Sequence, residues 1–137
     1  MQEPTTERGG KLATGDLSKL LSTLRISHFR PGQLDCIEAV AMQQRDAWVQ
    51  MPCGGGKSLV FAALLNLMQC IGILVEPLKA IVGTMRPYLM DRNVDVLVLT
   101  ADPASRAAVC DRLRSYAYIA NASRKPLAIL TSPHLST

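Results

Sequence analysis

The residues in this chain best suited to chemistry lie together at Met51-Pro52-Cys53-Gly54-Gly55-Gly56-Lys57-Ser58. Consecutive glycines let backbone N–H groups converge on an anion without interference from Cβ atoms, and a lysine and a hydroxyl follow immediately. That order suits a phosphate cradle: Lys57 supplies a mobile charge for β- and γ-phosphates, and the Ser58 hydroxyl is a ligand for Mg²⁺. The strict spacing G-x-x-x-x-G-K-[ST] has glycine where Met51 stands, so the match rests on Gly54 to Ser58 and on its surroundings. The competing reading is a glycine-rich turn before a helix that happens to begin Lys-Ser. An apolar run at residues 47–51 and a longer one starting at Leu59 favour the cradle, because they predict a strand before the loop and a helix after it, whose positive end adds to the site.

The elements that must position this loop follow from periodicity. Leu17, Leu20, Leu21 and Leu24 have helical spacing behind Asp16, a candidate N-cap, and predict a helix to about residue 26. Pro31 opens a second helix, to about residue 44, with Leu34, Ile37, Val40 and Ala41 on its apolar face. After the loop, residues 57–69 are apolar nearly all round and predict a buried helix. Further strands are expected at 72–75, 94–99 and 127–130. The intervening helices are expected at 78–90, weakened by Gly83 and Pro87, and from Asp102-Pro103 onward, with Ala104, Ala107, Ala108, Val109, Leu113 and Tyr116 inward. Alternating strands and helices dictate an α/β fold: a parallel sheet with right-handed crossovers, helices on both faces, and a ligand site at the carboxyl ends of the strands.

The chain has 137 residues, 48% of them hydrophobic, which suits one domain with a real core. Residues 1–15 are polar and aperiodic and are expected to form a flexible arm, leaving 16–137 as the folded part. No apolar run approaches the roughly 20 residues that span a bilayer, and the first residues lack the apolar centre of a secretory signal, so an intracellular, soluble protein is expected. Cys36, Cys53, Cys70 and Cys110 are scattered, without a C-x-x-C pair or a histidine cluster; reduced, mostly buried thiols are expected rather than a zinc site or a disulfide framework. Lys and Arg outnumber Asp and Glu by 15 to 11, which tolerates a polyanionic partner without demonstrating one. At 4% aromatic residues, composition does not argue for a base-stacking platform.

Two stretches together resemble a known family. Phe29-Arg30-Pro31-Gly32-Gln33, some twenty residues ahead of Met51-Pro52-Cys53-Gly54-Gly55-Gly56-Lys57-Ser58-Leu59, is similar to the start of the RecQ-type ATP-dependent DNA helicases of superfamily 2. Ile73-Leu74-Val75-Glu76-Pro77-Leu78 and Ile129-Leu130-Thr131-Ser132-Pro133 are similar to the next two motifs, so the resemblance runs from about Leu17 to the end. It implies a P-loop, RecA-like fold, incomplete, corresponding to the N-terminal part of the first lobe. It also implies ATP and Mg²⁺ held by Pro52, Cys53, Gly54, Gly55, Gly56, Lys57 and Ser58, with Lys57 the catalytic cation. Arg30 and Gln33 would bind the adenine edge, for which a glutamine amide offers a matched donor and acceptor. Pro77, Lys79, Thr131 and Ser132 would lie near DNA, single-stranded or forked; ordinary strand-to-helix turns are the alternative reading of those stretches. A nuclear location is implied if the source is eukaryotic, a cytoplasmic one otherwise.

Several departures from the family pattern bear on activity. Ile26 stands where an aromatic usually stacks on adenine, Cys53 replaces a threonine, Glu76 a serine, and His134 a glutamate. The D-E-A-H carboxylates that hold Mg²⁺ through water and polarise the attacking water are not in the chain, nor is a second lobe with its arginine finger. Ile73-Leu74-Val75-Glu76 superficially resembles a strand ending in such a carboxylate, but it has one acid and a proline directly after it. The expectation is the ATP-binding portion of a RecQ-like 3′–5′ helicase, inactive alone and prone to self-association through an uncovered sheet edge. The alternative is a non-catalytic nucleotide-binding or interaction module from a degenerate or truncated copy. A P-loop kinase is disfavoured by the lack of a basic lid and acceptor-site carboxylates, and by an F-R-P-G-Q element that such an enzyme has no use for.

Overall fold

The computed structural model describes residues 6–7, 10–52, 56–76, 79–118 and 125–133. The chain divides into two compact parts, residues 2–68 and 69–137.

In the first part, β1 (Thr6–Glu7) and β2 (Lys11–Leu12) pair antiparallel, so the stretch expected to be an arm contains a short hairpin. Helix α1 (Thr14–Leu24) begins two residues before Asp16, which lies in its first turn. Ala13 occupies the N-cap position and makes no side-chain cap bond, so the acid contributes through the helix dipole instead. Arg25 ends α1 in the left-handed region (φ 58°), and the N–H of Ile26 reaches back to Leu21 O at 3.1 Å.

Helix α2 (Gln33–Ala41) starts after Gly32, whose φ of 85° suits glycine. Pro31 is therefore an exposed turn residue rather than part of the helix. The buried positions of α2 are Gln33, Ile37 and Glu38, while Leu34, Val40 and Ala41 are half-buried. Glu38 is retained inside because its Oε1 accepts a hydrogen bond from Leu12 N–H at 3.2 Å, which ties the hairpin to α2. Helix α3 (Lys57–Met68) packs on α1 and α2. Ala62 and Ala63 have no exposed surface, and their small side chains allow close helix approach beside Leu20, Leu24, Ile37 and Leu65.

Residues 47–51, expected as the strand leading into the loop, are not a strand. No ladder forms over them and Trp48 is 93% exposed. An apolar run predicts burial only where a neighbouring strand supplies hydrogen bonds, and among the described residues none does so here.

The second part is an α/β unit: β3 (Ile71–Val75), α4 (Lys79–Met90), β4 (Asp95–Val98), α5 (Pro103–Tyr118) and β5 (Leu127–Thr131). Its sheet is parallel with order β3-β5-β4, registered Ile73 to Ile129 and Leu97 to Ile129. The first crossover, through α4, passes over the place of β5, and the second, through α5, returns to it. Right-handed crossovers in opposite directions put the two helices on opposite faces. That is why β5 is buried at all five positions.

Helix α4 buries Met85 and Leu89 and contacts β4. It closes with Val94 N–H on Leu89 O at 3.1 Å after Asn93 at φ 62°. Asp102 caps α5, its Oδ1 accepting from Ala104 N–H at 3.0 Å. The inner side of α5 is Ser105, Val109, Arg112, Leu113 and Tyr116; Ala104, Ala107 and Ala108, expected inward, are exposed. Ser105 and Arg112 displace the alanines because each has a partner beneath. The Ser105 hydroxyl donates to Val98 O at 2.8 Å, and Arg112 meets Asp95 at 2.8 Å. Polar bonding to β4, which a hydrophobic pattern does not encode, sets the rotation of this helix.

Candidate nucleotide site

Between α1 and α2 the chain makes a turn over residues 25–32 that holds the F-R-P-G-Q element. Its key side chain is Gln33, only 1% exposed at the first position of α2. The Gln33 Oε1 accepts from Arg30 N–H at 2.8 Å, and its Nε2 donates to Gly56 O at 3.1 Å. One amide thus fixes the turn and reaches the last glycine of the loop, 23 residues away, bringing the two motifs side by side. Gly56 has φ 89°, and a Cβ there would collide with Gln33 Nε2. Glycine is required at this point both by backbone conformation and by the close approach of the amide.

Lys57 begins α3 and is exposed; Ser58 lies half-buried in the first turn of the same helix. Both therefore project from a helix N-terminus, where backbone N–H groups lack intrahelical partners and favour an anion. Pro52 is exposed, and Cys53, Gly54 and Gly55 lie outside the described residues.

Next to the F-R-P-G-Q turn is a cavity of about 400 Å³, lined among others by Leu17, Leu21, Ser27, Phe29, Arg30 and Asp35. Its size falls in the range of small-molecule sites, and apolar walls with a few polar groups are usual for them. His28 also lines it, and its Nδ1 shares a hydrogen bond of 2.9 Å with the Ser27 hydroxyl. Arg30 is exposed on the rim, and Ile26, which stands in place of the family's stacking aromatic, is half-buried. The sequence reading missed that Gln33 is already committed at both ends. The signal available was its place at the start of the apolar face of α2, one turn before Ile37.

In the α/β part, the strands that lead into the two stretches expected near DNA pair up to the carboxyl end of the sheet. Val75 pairs with Thr131, and Glu76 N–H donates to Thr131 O at 2.8 Å. Thr131 is buried and its hydroxyl donates to Leu99 O at 3.3 Å, while Ser132 is half-buried just beyond the strand. Lys79 is the first residue of α4; Pro77 and His134 lie outside the described residues. Three free thiols are described: Cys36 and Cys70 are half-buried and Cys110 is exposed, less burial than expected. Burial pushes the thiols of Cys36 and Cys70 above the ordinary range; for Cys70 a backbone hydrogen bond works in the opposite direction. Among the described residues no group of three or more His, Cys, Asp or Glu could hold a metal ion, and no helix is long and apolar enough to cross a membrane.

Over 82 residues, 57% of its length, the chain is 32% identical to the ATP-dependent helicase SGS1 of Saccharomyces cerevisiae. The chain is RecQ-like. It is 34% identical over 73 residues, 53% of its length, to the ATP-dependent DNA helicase Q-like 4B of Arabidopsis thaliana. With the RecQ-like DNA helicase blm-1 of Caenorhabditis elegans it shares 27% identity over 104 residues, 73% of its length. These RecQ matches span 6%, 6% and 10% of the relatives' own lengths. No family model and no solved structure matches the chain.

Proposed function

We propose that residues 16–137 are part of a RecA-like, P-loop lobe and form the ATP-binding portion of a RecQ-like 3′–5′ DNA helicase. The observation that carries this reading is the Gln33 bridge, which joins the F-R-P-G-Q turn to Gly56 immediately ahead of Lys57 and Ser58. In this reading the cavity at Arg30 takes the base and the N-terminus of α3 takes the phosphates. Gln33 leaves Arg30 N–H and Gly56 O to turn its amide to adenine, so nucleotide binding exchanges an internal brace for a base contact. Lys57 neutralises the β- and γ-phosphates. The Ser58 hydroxyl is a single hard donor, which suits Mg²⁺, an ion that keeps several waters and takes its remaining ligands from phosphate; bound there, it would neutralise phosphate charge.

Within a whole helicase this grip on ATP would be coupled to DNA unwinding, with Pro77, Lys79, Thr131 and Ser132 near the DNA backbone. The work would be in the nucleus if the source is eukaryotic. Alone, the chain has no carboxylate pair to activate water, and we place it as a binder rather than a hydrolase. A second reading, a non-catalytic nucleotide-binding or interaction module, draws on Ile26 in place of an aromatic and on the internal commitment of Gln33.

The test is calorimetric titration with Mg·ATP of the wild type and Lys57→Ala. The charge-assisted contact is worth about 1.5–3 kcal/mol, so the variant should bind about tenfold to a hundredfold more weakly. Because Lys57 is exposed, its stability should change by less than about 0.5 kcal/mol. Equal affinities would remove the phosphate-loop assignment.

A further inference from the structure

The cavity beside the F-R-P-G-Q turn is lined by four polar side chains, Ser27, His28, Arg30 and Asp35, and three of them are engaged. Ser27 and His28 share a hydrogen bond, and Arg30 has a partner as well. Gln33, buried at the start of α2, is held at both ends of its amide. Asp35 differs from all of these. It is exposed in the first turn of α2 and makes no hydrogen bond or ion pair with any described residue. A base entering the cavity meets the Asp35 carboxylate with no internal bond to break, whereas Gln33 must first give up Arg30 N–H and Gly56 O.

We propose that Asp35 sets which purine the cavity takes, through the substituent at the base's 6-position. An ionised carboxylate only accepts hydrogen bonds. Adenine carries an amino group at that position with two hydrogens: one serves the Gln33 amide, and the one on the Watson–Crick side serves Asp35. Guanine and hypoxanthine carry a carbonyl oxygen there, and a carboxylate that faces it gives up hydration without gaining a bond. Gln33 alone discriminates less sharply, because its amide can turn over and donate a single bond to a carbonyl. Rejection by a group that cannot donate is therefore the stricter half of the selectivity. Hypoxanthine is the cleaner comparison, since it lacks the 2-amino group through which guanine could reach the carboxylate in another orientation. The inference rests on a nucleotide occupying this cavity with its phosphates at Lys57 and Ser58.

Equilibrium titrations of the whole chain with Mg·ATP and Mg·ITP, for the wild type, Asp35→Asn and Asp35→Ala, decide the matter. ITP differs from ATP only in the 6-position of the base and the proton on N1 beside it. Both substitutions remove a negative charge and so strengthen the two triphosphates alike, an effect that the ratio of affinities cancels. The wild type should prefer ATP at least tenfold, as expected for a bond to a charged acceptor at an exposed position. Asp35→Asn should cut that preference about tenfold, because its amide can donate to the 6-carbonyl, and Asp35→Ala should lower it too, because the acceptor is gone. An unchanged ratio in Asp35→Asn overturns the proposal. So does a fall in Asp35→Asn alone, since the new amide rather than the native carboxylate would then make the difference. So does a loss of stability in urea with the ratio unmoved, which marks Asp35 as a charge serving the start of α2. In each of these cases binding that still depends on Lys57 leaves the phosphate site standing. A wild-type chain that binds neither triphosphate loses the nucleotide reading and this inference with it.

Discussion

Gln33 braces the candidate site from inside the protein, and its removal should be felt twice. Gln33→Ala leaves Gly56 O and Arg30 N–H without their partner at a position that is 1% exposed, which costs about 1–3 kcal/mol in urea unfolding. It should also lower the preference for ATP over GTP about tenfold in a competition assay, because guanine cannot reproduce the paired bonds an amide makes to adenine. A loss of stability with an unchanged preference would leave Gln33 as a brace only. Gly56→Ala should destabilise by more than about 1 kcal/mol, through the strain at φ 89° and the collision with the same amide. In a double-mutant cycle Gln33→Ala should relieve the collision and leave the strain, so the two losses sum to less than their parts. At this scale the sequence was legible in residue type and opaque in partner. It marked Gln33, Lys57 and Ser58 as a set, but which atoms Gln33 holds depends on a fold that brings residues 33 and 56 together.

Elements were read well where a hydrophobic pattern and a covering partner coincide. Helix α3 and strands β3, β4 and β5 fall within a residue or two of their expected bounds. The misses share a cause: residues 47–51 have the pattern without the partner, and α5 is oriented by Ser105 and Arg112, polar groups that periodicity does not count. Energetics at this scale should follow the same division. Leu130, fully buried in the central strand, should cost about 2–5 kcal/mol when replaced by alanine. Asp95→Asn breaks the pair that joins β4 to α5, yet both side chains are more than a third exposed, so the loss should stay below about 1 kcal/mol. Paired urea titrations giving comparable losses would mean that the ion pair, rather than apolar burial, holds α5 in place.

For the whole molecule, the decisive contrast is between binding and turnover. An arginine finger alone is worth about 10³ to 10⁵ in rate where it has been measured, and no D-E-A-H sequence occurs among these 137 residues to supply the carboxylate pair. Steady-state hydrolysis by the purified chain should therefore stay at background with or without single-stranded DNA. DNA-stimulated turnover that disappears in Lys57→Ala would identify Glu76 or another acid as the working carboxylate. The α/β class was legible from alternating runs alone. The placing of β5 between β3 and β4 was not, because strand order is decided by pairing across the sheet rather than by anything local to one strand.

That order also constrains how the protein is made. Among the described strands, the one that comes latest in the chain occupies the middle of this sheet, so neither β3 nor β4 has its partner until β5 arrives. Ile71 pairs with Leu127, and at about 5–20 residues per second the separation of 56 positions (127 − 71) keeps β3 waiting for several seconds on the ribosome. During that interval an apolar strand without protective charges is exposed to whatever else is emerging nearby. Slow codons before residue 127 would lengthen the exposure, and a chaperone that holds apolar segments should associate with nascent chains of this length and let go once residue 131 has cleared the exit tunnel.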